Sequence, residues 1–105
     1  MKKFHHIGIP TTVPRPGESY LEEARLHVTD SQASEHRIEW LRFEEGSPLP
    51  EILKTTAHVA YEVDDLQAAL AGREILLEPF APMEGLQVAF ILDDGAPVEF
   101  MQFHS

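Results

Sequence analysis

Two histidines and two glutamates stand at matching places in the two halves of this chain. His6 lies in the run His5-His6-Ile7-Gly8-Ile9, and His58 in its echo Ala57-His58-Val59-Ala60-Tyr61. From the histidine onward, both read β-branched residue, small residue, apolar residue. Glu39 lies in Ile38-Glu39-Trp40-Leu41-Arg42-Phe43 and Glu99 in Val98-Glu99-Phe100-Met101-Gln102-Phe103. The order β-branched, acidic, aromatic, large apolar, polar, Phe is kept at every position. Imidazole and carboxylate bind divalent first-row metals, and they are also the side chains that move protons near neutral pH. The 105 residues include no cysteine, so disulfides and thiolate sites are excluded. Any transition-metal site must therefore be built from nitrogen and oxygen donors.

The elements that must hold these residues follow from pattern and punctuation. Phe4 to Ile9 reads as a strand ended by Pro10, and Pro14, Pro16 and Gly17 make the stretch around Thr11–Tyr20 a loop. Ala24, Leu26 and Val28 alternate with polar residues, which favours a half-exposed strand, although Glu22-Glu23-Ala24 fits a helical turn equally well. Arg37 to Phe43 is the next strand, and residues 44–56, with Gly46, Pro48 and Pro50, read as a linker. In the second half Ala57 to Val63 is a strand, and Asp64-Asp65 caps a helix through Leu66, Ala69 and Leu70 that stops at Gly72. Glu74 to Glu78 is a further strand, followed by a loop at Pro79, Pro82 and Gly85. Gln87 to Asp93 and Ala96 to Phe103 form a hairpin across Asp94-Gly95. The second half is thus β, α, β, β, β, and the first half is an abbreviated copy whose helix is missing.

This predicts one α+β domain over residues 1–105, with a shortened first module at 1–50 and a βαβββ module at 51–105. Strand alternation puts His58, Ala60 and Glu62 on one face, with the helix covering the Val59 side. Glu99 and Glu39 each sit at one end of a mostly apolar row, Met101-Phe103 and Leu41-Phe43, which suggests a pocket floor. If the modules pair by a pseudo-twofold into a cupped mixed sheet, two histidines and two glutamates converge, a set suited to a divalent ion.

The stretches HVAYEVDDLQAAL (58–70) and VAFILDDGAPVEFMQF (88–103) resemble the opening strand-helix and closing hairpin of the βαβββ module of the vicinal oxygen chelate superfamily. That superfamily holds glyoxalases, epimerases, extradiol dioxygenases and bleomycin-resistance proteins, and the resemblance covers nearly the whole chain. In its metal-dependent members the first and last strands of each module contribute a His and a Glu. Position by position these match His6, Glu39, His58 and Glu99. The short first module departs from the family pattern, and the missing segment would normally help to build the wall beside the substrate.

The resemblance implies a divalent-metal enzyme, a glyoxalase-like lyase or isomerase. Its ion, Zn, Ni, Co, Mn or Fe, would chelate two neighbouring oxygens of a small substrate and stabilise an enolate or enediolate. Glu99 or Glu39 would then act as the catalytic carboxylate, moving a proton at the adjacent carbon. If Glu39 points away, His6, His58 and Glu99 form a facial triad suited to an extradiol-type iron dioxygenase. The third alternative is a metal-free protein that sequesters a small molecule, a drug for example, in the manner of bleomycin-resistance proteins.

Other residues have plainer readings. His5 alternates away from His6, which suits packing or support of the ligands. His27, His36 and His104 carry no spacing signal and read as surface residues, and Trp40 reads as core. Glu44 or Glu45 could decorate the edge near Glu39 as solvated charge. The formal net charge of −10, with 8 Lys and Arg against 18 acids, argues against a nucleic-acid partner. No apolar run reaches signal-peptide or membrane length, so the expectation is a cytoplasmic protein with no membrane partner. A small chain with a thinned first module is expected to leave apolar sheet surface uncovered and to form a homodimer.

Overall fold

The computed structural model describes residues 2–104. In chain order its elements are β1 (Lys2–Pro10), β2 (Ser19–Leu21), β3 (Leu26–Val28), a 3₁₀ turn (Ser31–Ala33), β4 (Ile38–Phe43), α1 (Glu51–Thr55) and β5 (His58–Val63). Then come α2 (Leu66–Leu70), β6 (Glu74–Met83), β7 (Leu86–Asp93) and β8 (Ala96–Phe103). The fold is α+β, dominated by strands in mixed parallel and antiparallel pairs. Among the described residues no helix is long and apolar enough to cross a membrane.

Two compact units divide the chain. The N-terminal unit is His6–Ala57, and the C-terminal unit joins the residues from His58 onward to those up to His5. In the N-terminal unit the strands run in the order β2-β3-β4-β1. The β2–β3 and β3–β4 pairs are antiparallel and β4 pairs with β1 in parallel. Between β1 and β4 the described residues hold two short strands and the 3₁₀ turn, but no α-helix. The loop expected around Thr11–Tyr20 thus ends in a strand, because Ser19–Leu21 pairs with Leu26–Val28. A three-residue strand is too short to show a period. For the same reason the linker expected at 44–56 conceals α1, whose start is marked only by Pro50.

The C-terminal unit runs β5-β8-β7-β6, with β5 parallel to β8 and the remaining pairs antiparallel. Helix α2 is placed by its first turn. Asp65 adopts an extended backbone and its carboxylate accepts from Ala68 N at 3.3 Å, while Leu66 N donates to Gln102 Oε1 at 2.7 Å. Leu66 and Leu70, one turn apart, are 1% and 8% exposed. They pack with Val63, Ala89, Ile91 and Phe100 on one face of the strands, alongside Tyr61 and Val98. The opposite face carries Ala60, Leu86, Val88 and Met101, with Phe80 against them. A five-residue helix has little stability of its own, so this packing is what holds α2.

Two features of the hairpin region follow from backbone chemistry. Asp94 and Gly95 both have positive φ, +52° and +86°, and close the β7–β8 hairpin between Asp93 and Ala96. That is the primed turn for which Asp-Gly is suited. The expected loop at Pro79 and Pro82, by contrast, is part of β6. Proline lacks an N–H, yet β6 ends the strand order and its pairing with β7 shifts register between Leu77 and Phe80 and again between Phe80 and Met83. An edge strand with bulges tolerates the missing donors.

Candidate functional site

In the N-terminal unit the parallel pairing of β1 with β4 sets Ile7 opposite Ile38, Gly8 opposite Glu39 and Ile9 opposite Trp40. His6 lies two residues before Gly8 and therefore shares its face. The imidazole Nε2 of His6 lies 3.2 Å from Glu39 Oε1, with His6 buried and Glu39 24% exposed. In the C-terminal unit β5 and β8 repeat the arrangement, Val59 opposite Val98, Ala60 opposite Glu99 and Tyr61 opposite Phe100. His58 Nε2 is hydrogen-bonded to Glu99 Oε1 at 3.0 Å, and the two residues are 4% and 7% exposed. Each unit therefore holds one buried histidine against one glutamate in the same register, counted from the small residue that faces the glutamate.

Apolar side chains flank His58 on one side. The Phe90 ring meets His58 edge-on with centroids 5.0 Å apart, and Met101, Val88 and Ala60 line the same face. A carboxylate accepts hydrogen bonds, so in the His58–Glu99 pair the imidazole Nε2 is the donor. A metal taking His58 through that nitrogen displaces the proton. His6, Glu39 and His58 each offer a nitrogen or oxygen donor that could hold a metal ion. That group offers two imidazoles and one carboxylate, a chemistry that suits zinc, nickel, cobalt, manganese or iron(II), and it does not include Glu99.

The other expected positions fall as follows. His5 is half-buried and its ring lies 5.7 Å from that of Phe103, which is a packing role. Asp65 caps α2 and Asp64 is exposed. His36 is exposed beside Glu35, and His104 is exposed. His27 is not a plain surface residue. Its Nε2 lies 3.2 Å from Glu44 Oε2 and its Nδ1 3.8 Å from Glu18 Oε1, and the Tyr20 ring packs on it at 4.6 Å. Glu44, which sequence allowed as loose surface charge, also accepts from Tyr20 Oη at 2.7 Å. Trp40 is half-buried rather than core, and the Arg15 guanidinium lies over its ring with its carbon 3.7 Å from the centroid.

Sequence reasoning missed this polar cluster. Arg42 donates to both Glu18 oxygens, at 2.9 and 2.7 Å. Those bonds hold the Glu18 carboxyl down to about 2, from an ordinary 4.5, with help from the Arg15 backbone N–H. The Tyr20 hydroxyl and His27 lower the Glu44 carboxyl in turn. The cluster depends on the pairing of β3 with β4, which sets His27 opposite Arg42, and so on register rather than spacing.

No family model matches this chain, and no curated protein matches its sequence. Among 21 solved chains that do match is the crystal structure of a hypothetical protein, BH1468, from Bacillus halodurans C-125. It superposes with a TM-score of 0.73 at 22% identity, covering 99% of this chain and 96% of that one. This likeness is one of fold alone.

Proposed function

We propose that the chain is a divalent-metal-dependent, glyoxalase-like lyase or isomerase of the vicinal oxygen chelate type. Its donors would be His6, Glu39, His58 and Glu99, and its substrate a small molecule with two neighbouring oxygens. One observation carries this reading: both units hold a buried histidine against a glutamate in the same parallel-strand register. A packing role would need neither the repeat nor four ionisable groups of ligand type. The same register supports reading the units as copies of one βαβββ-type module, the first abbreviated.

When bound, the ion supplies Lewis acidity to the substrate oxygens and favours charge developing on them. Glu99, 7% exposed at the end of the row that continues through Met101, or Glu39 would move a proton at the adjacent carbon. Phe90, Val88 and Met101 would exclude water from the Glu99 carboxylate and strengthen its interactions. A homodimer is part of the proposal. Phe4, Met83 and Phe103 of the C-terminal unit are 46%, 60% and 46% exposed, large apolar side chains that a second copy could cover.

Metal content of untagged protein, measured by mass spectrometry beside His58→Ala, tests the reading. Near-stoichiometric zinc, nickel, cobalt or manganese, lost in the variant, is the expected result. Iron with oxygen-dependent turnover would transfer the site to dioxygenase chemistry. No metal even after reconstitution would overturn the enzyme and leave a metal-free small-molecule binder.

A further inference from the structure

The N-terminal unit contains a cleft of about 440 Å³ whose wall includes Arg15, Thr29, Ala33, Ser34, Ile38 and Trp40. Ile38 and Trp40 alternate with Glu39 along β4, so the cleft belongs to the face away from the His6–Glu39 pair. We propose that it binds a small organic monocarboxylate, the acid on Arg15 and the apolar body against Trp40 and Ile38.

The donors carry the argument. Arg15 lies over the Trp40 indole, its guanidinium carbon 3.7 Å from the ring centroid, and lines the cleft. Its Nε is shielded from solvent and has no hydrogen-bond partner among the described residues. A buried donor of that kind normally has an acceptor, and a carboxylate matches the fork with two parallel bonds. Two hydroxyls complete the set. Thr29 Oγ1 accepts from Trp40 N at 2.9 Å and Ser34 Oγ accepts from Ile38 N at 3.2 Å. Each is thereby oriented, and each keeps its own O–H to donate.

Size and charge narrow the class. The volume is that of a small-molecule site. The cleft wall holds one cation, Arg15, and one carboxylate, Asp30, which already accepts from Gln32 N at 2.9 Å. On a chain of net charge −10 a wall with one cation and one anion disfavours a phosphate dianion and leaves the Arg15 guanidinium to pair a single negative charge. Ala33, Ile38 and Trp40 favour a compact hydrocarbon body.

Trp40 is the sole tryptophan, so intrinsic fluorescence reports on this cleft. The test titrates the full chain, stripped of metal by chelation, with cyclohexanecarboxylate, cyclohexylamine and inorganic phosphate at constant ionic strength. Cyclohexanecarboxylate should shift the emission saturably in the millimolar range or below, with the amine and phosphate at least about tenfold weaker. Arg15→Gln should weaken the carboxylate about tenfold or more, and Arg15→Lys, which keeps the charge without the fork, by an intermediate factor. Ala33→Leu, which fills the cleft and leaves Arg15 in place, should also abolish the response and serves if Arg15→Gln alters the melting curve. Absence of a saturable shift, an equal response to amine or phosphate, or full affinity in Arg15→Gln or Ala33→Leu would overturn the proposal.

Discussion

Glu99→Gln separates a ligand from a packing residue, because the carboxamide keeps the size of the side chain and removes its charge. In the metal-free protein the change converts the 3.0 Å bond to His58 from charge-assisted to neutral. Such bonds contribute about 1.5–3 and about 0.5–1.5 kcal/mol respectively, so the expected loss is about 1 kcal/mol. For a chain of 105 residues that lowers the melting temperature by about 4 °C. With metal the difference grows. At a concentration of 100 Kd a ligand stabilises the folded state by about 2.7 kcal/mol, which raises the wild-type melting temperature by about 10 °C. Replacing groups that merely support metal ligands weakens affinity ten- to hundredfold, and losing an anionic ligand should do at least as much. A hundredfold loss leaves the same metal at its Kd, where the stabilisation is about 0.4 kcal/mol and the upshift about 2 °C. Differential scanning fluorimetry with and without each metal reads both numbers. An upshift in Glu99→Gln equal to that of the wild type would show that Glu99 is not a ligand, and the reasoning from the repeated pair would fail.

Acid stability should depend on Glu18. Its folded pKa of about 2 lies below the ordinary 4.5, so its contribution is complete above about 4.5 and is lost as pH falls toward 2, with Glu44 acting in the same direction. The urea midpoint of Glu18→Gln should therefore lie below that of the wild type at neutral pH, and the gap should close on acidification; a constant gap would contradict the Arg42 pairing. Ile91→Ala, at a residue 1% exposed and packed with Leu66 and Phe100, should cost about 2–5 kcal/mol in urea unfolding through the cavity it leaves. Gly95→Ala meets no atom within 4 Å but must hold φ near +86°, so a backbone penalty of about 1 kcal/mol is expected in the same assay. Asp65→Ala removes the side-chain acceptor of Ala68 N and should cost about 1 kcal/mol, visible as faster amide exchange in α2.

Much of the fold was legible along the chain because its signals are local. The helix at Leu66–Leu70 is announced by its capping aspartate and the spacing of its leucines, and the β7–β8 hairpin by Asp94-Gly95. The prolines of β6 misled, since a missing N–H forbids a strand only where a partner needs it, and β6 lies at an edge. Residues Ser19–Leu21 and Glu51–Thr55 were invisible because three or five residues complete no period, and pairing or packing forms them.

The candidate site divides along the same line. His6, Glu39, His58 and Glu99 were found from sequence alone, because the repeat is a string of residue types and strings survive without coordinates. Tertiary structure decided that Gly8 faces Glu39 and Ala60 faces Glu99, and so that each histidine meets a glutamate. It also decided that Glu18 meets Arg42 and that Arg15 lies on Trp40 instead of Trp40 lying in the core. Those contacts depend on strand register and on the path of the loop after Pro10. Register is a property of two segments together, whereas residue type belongs to one.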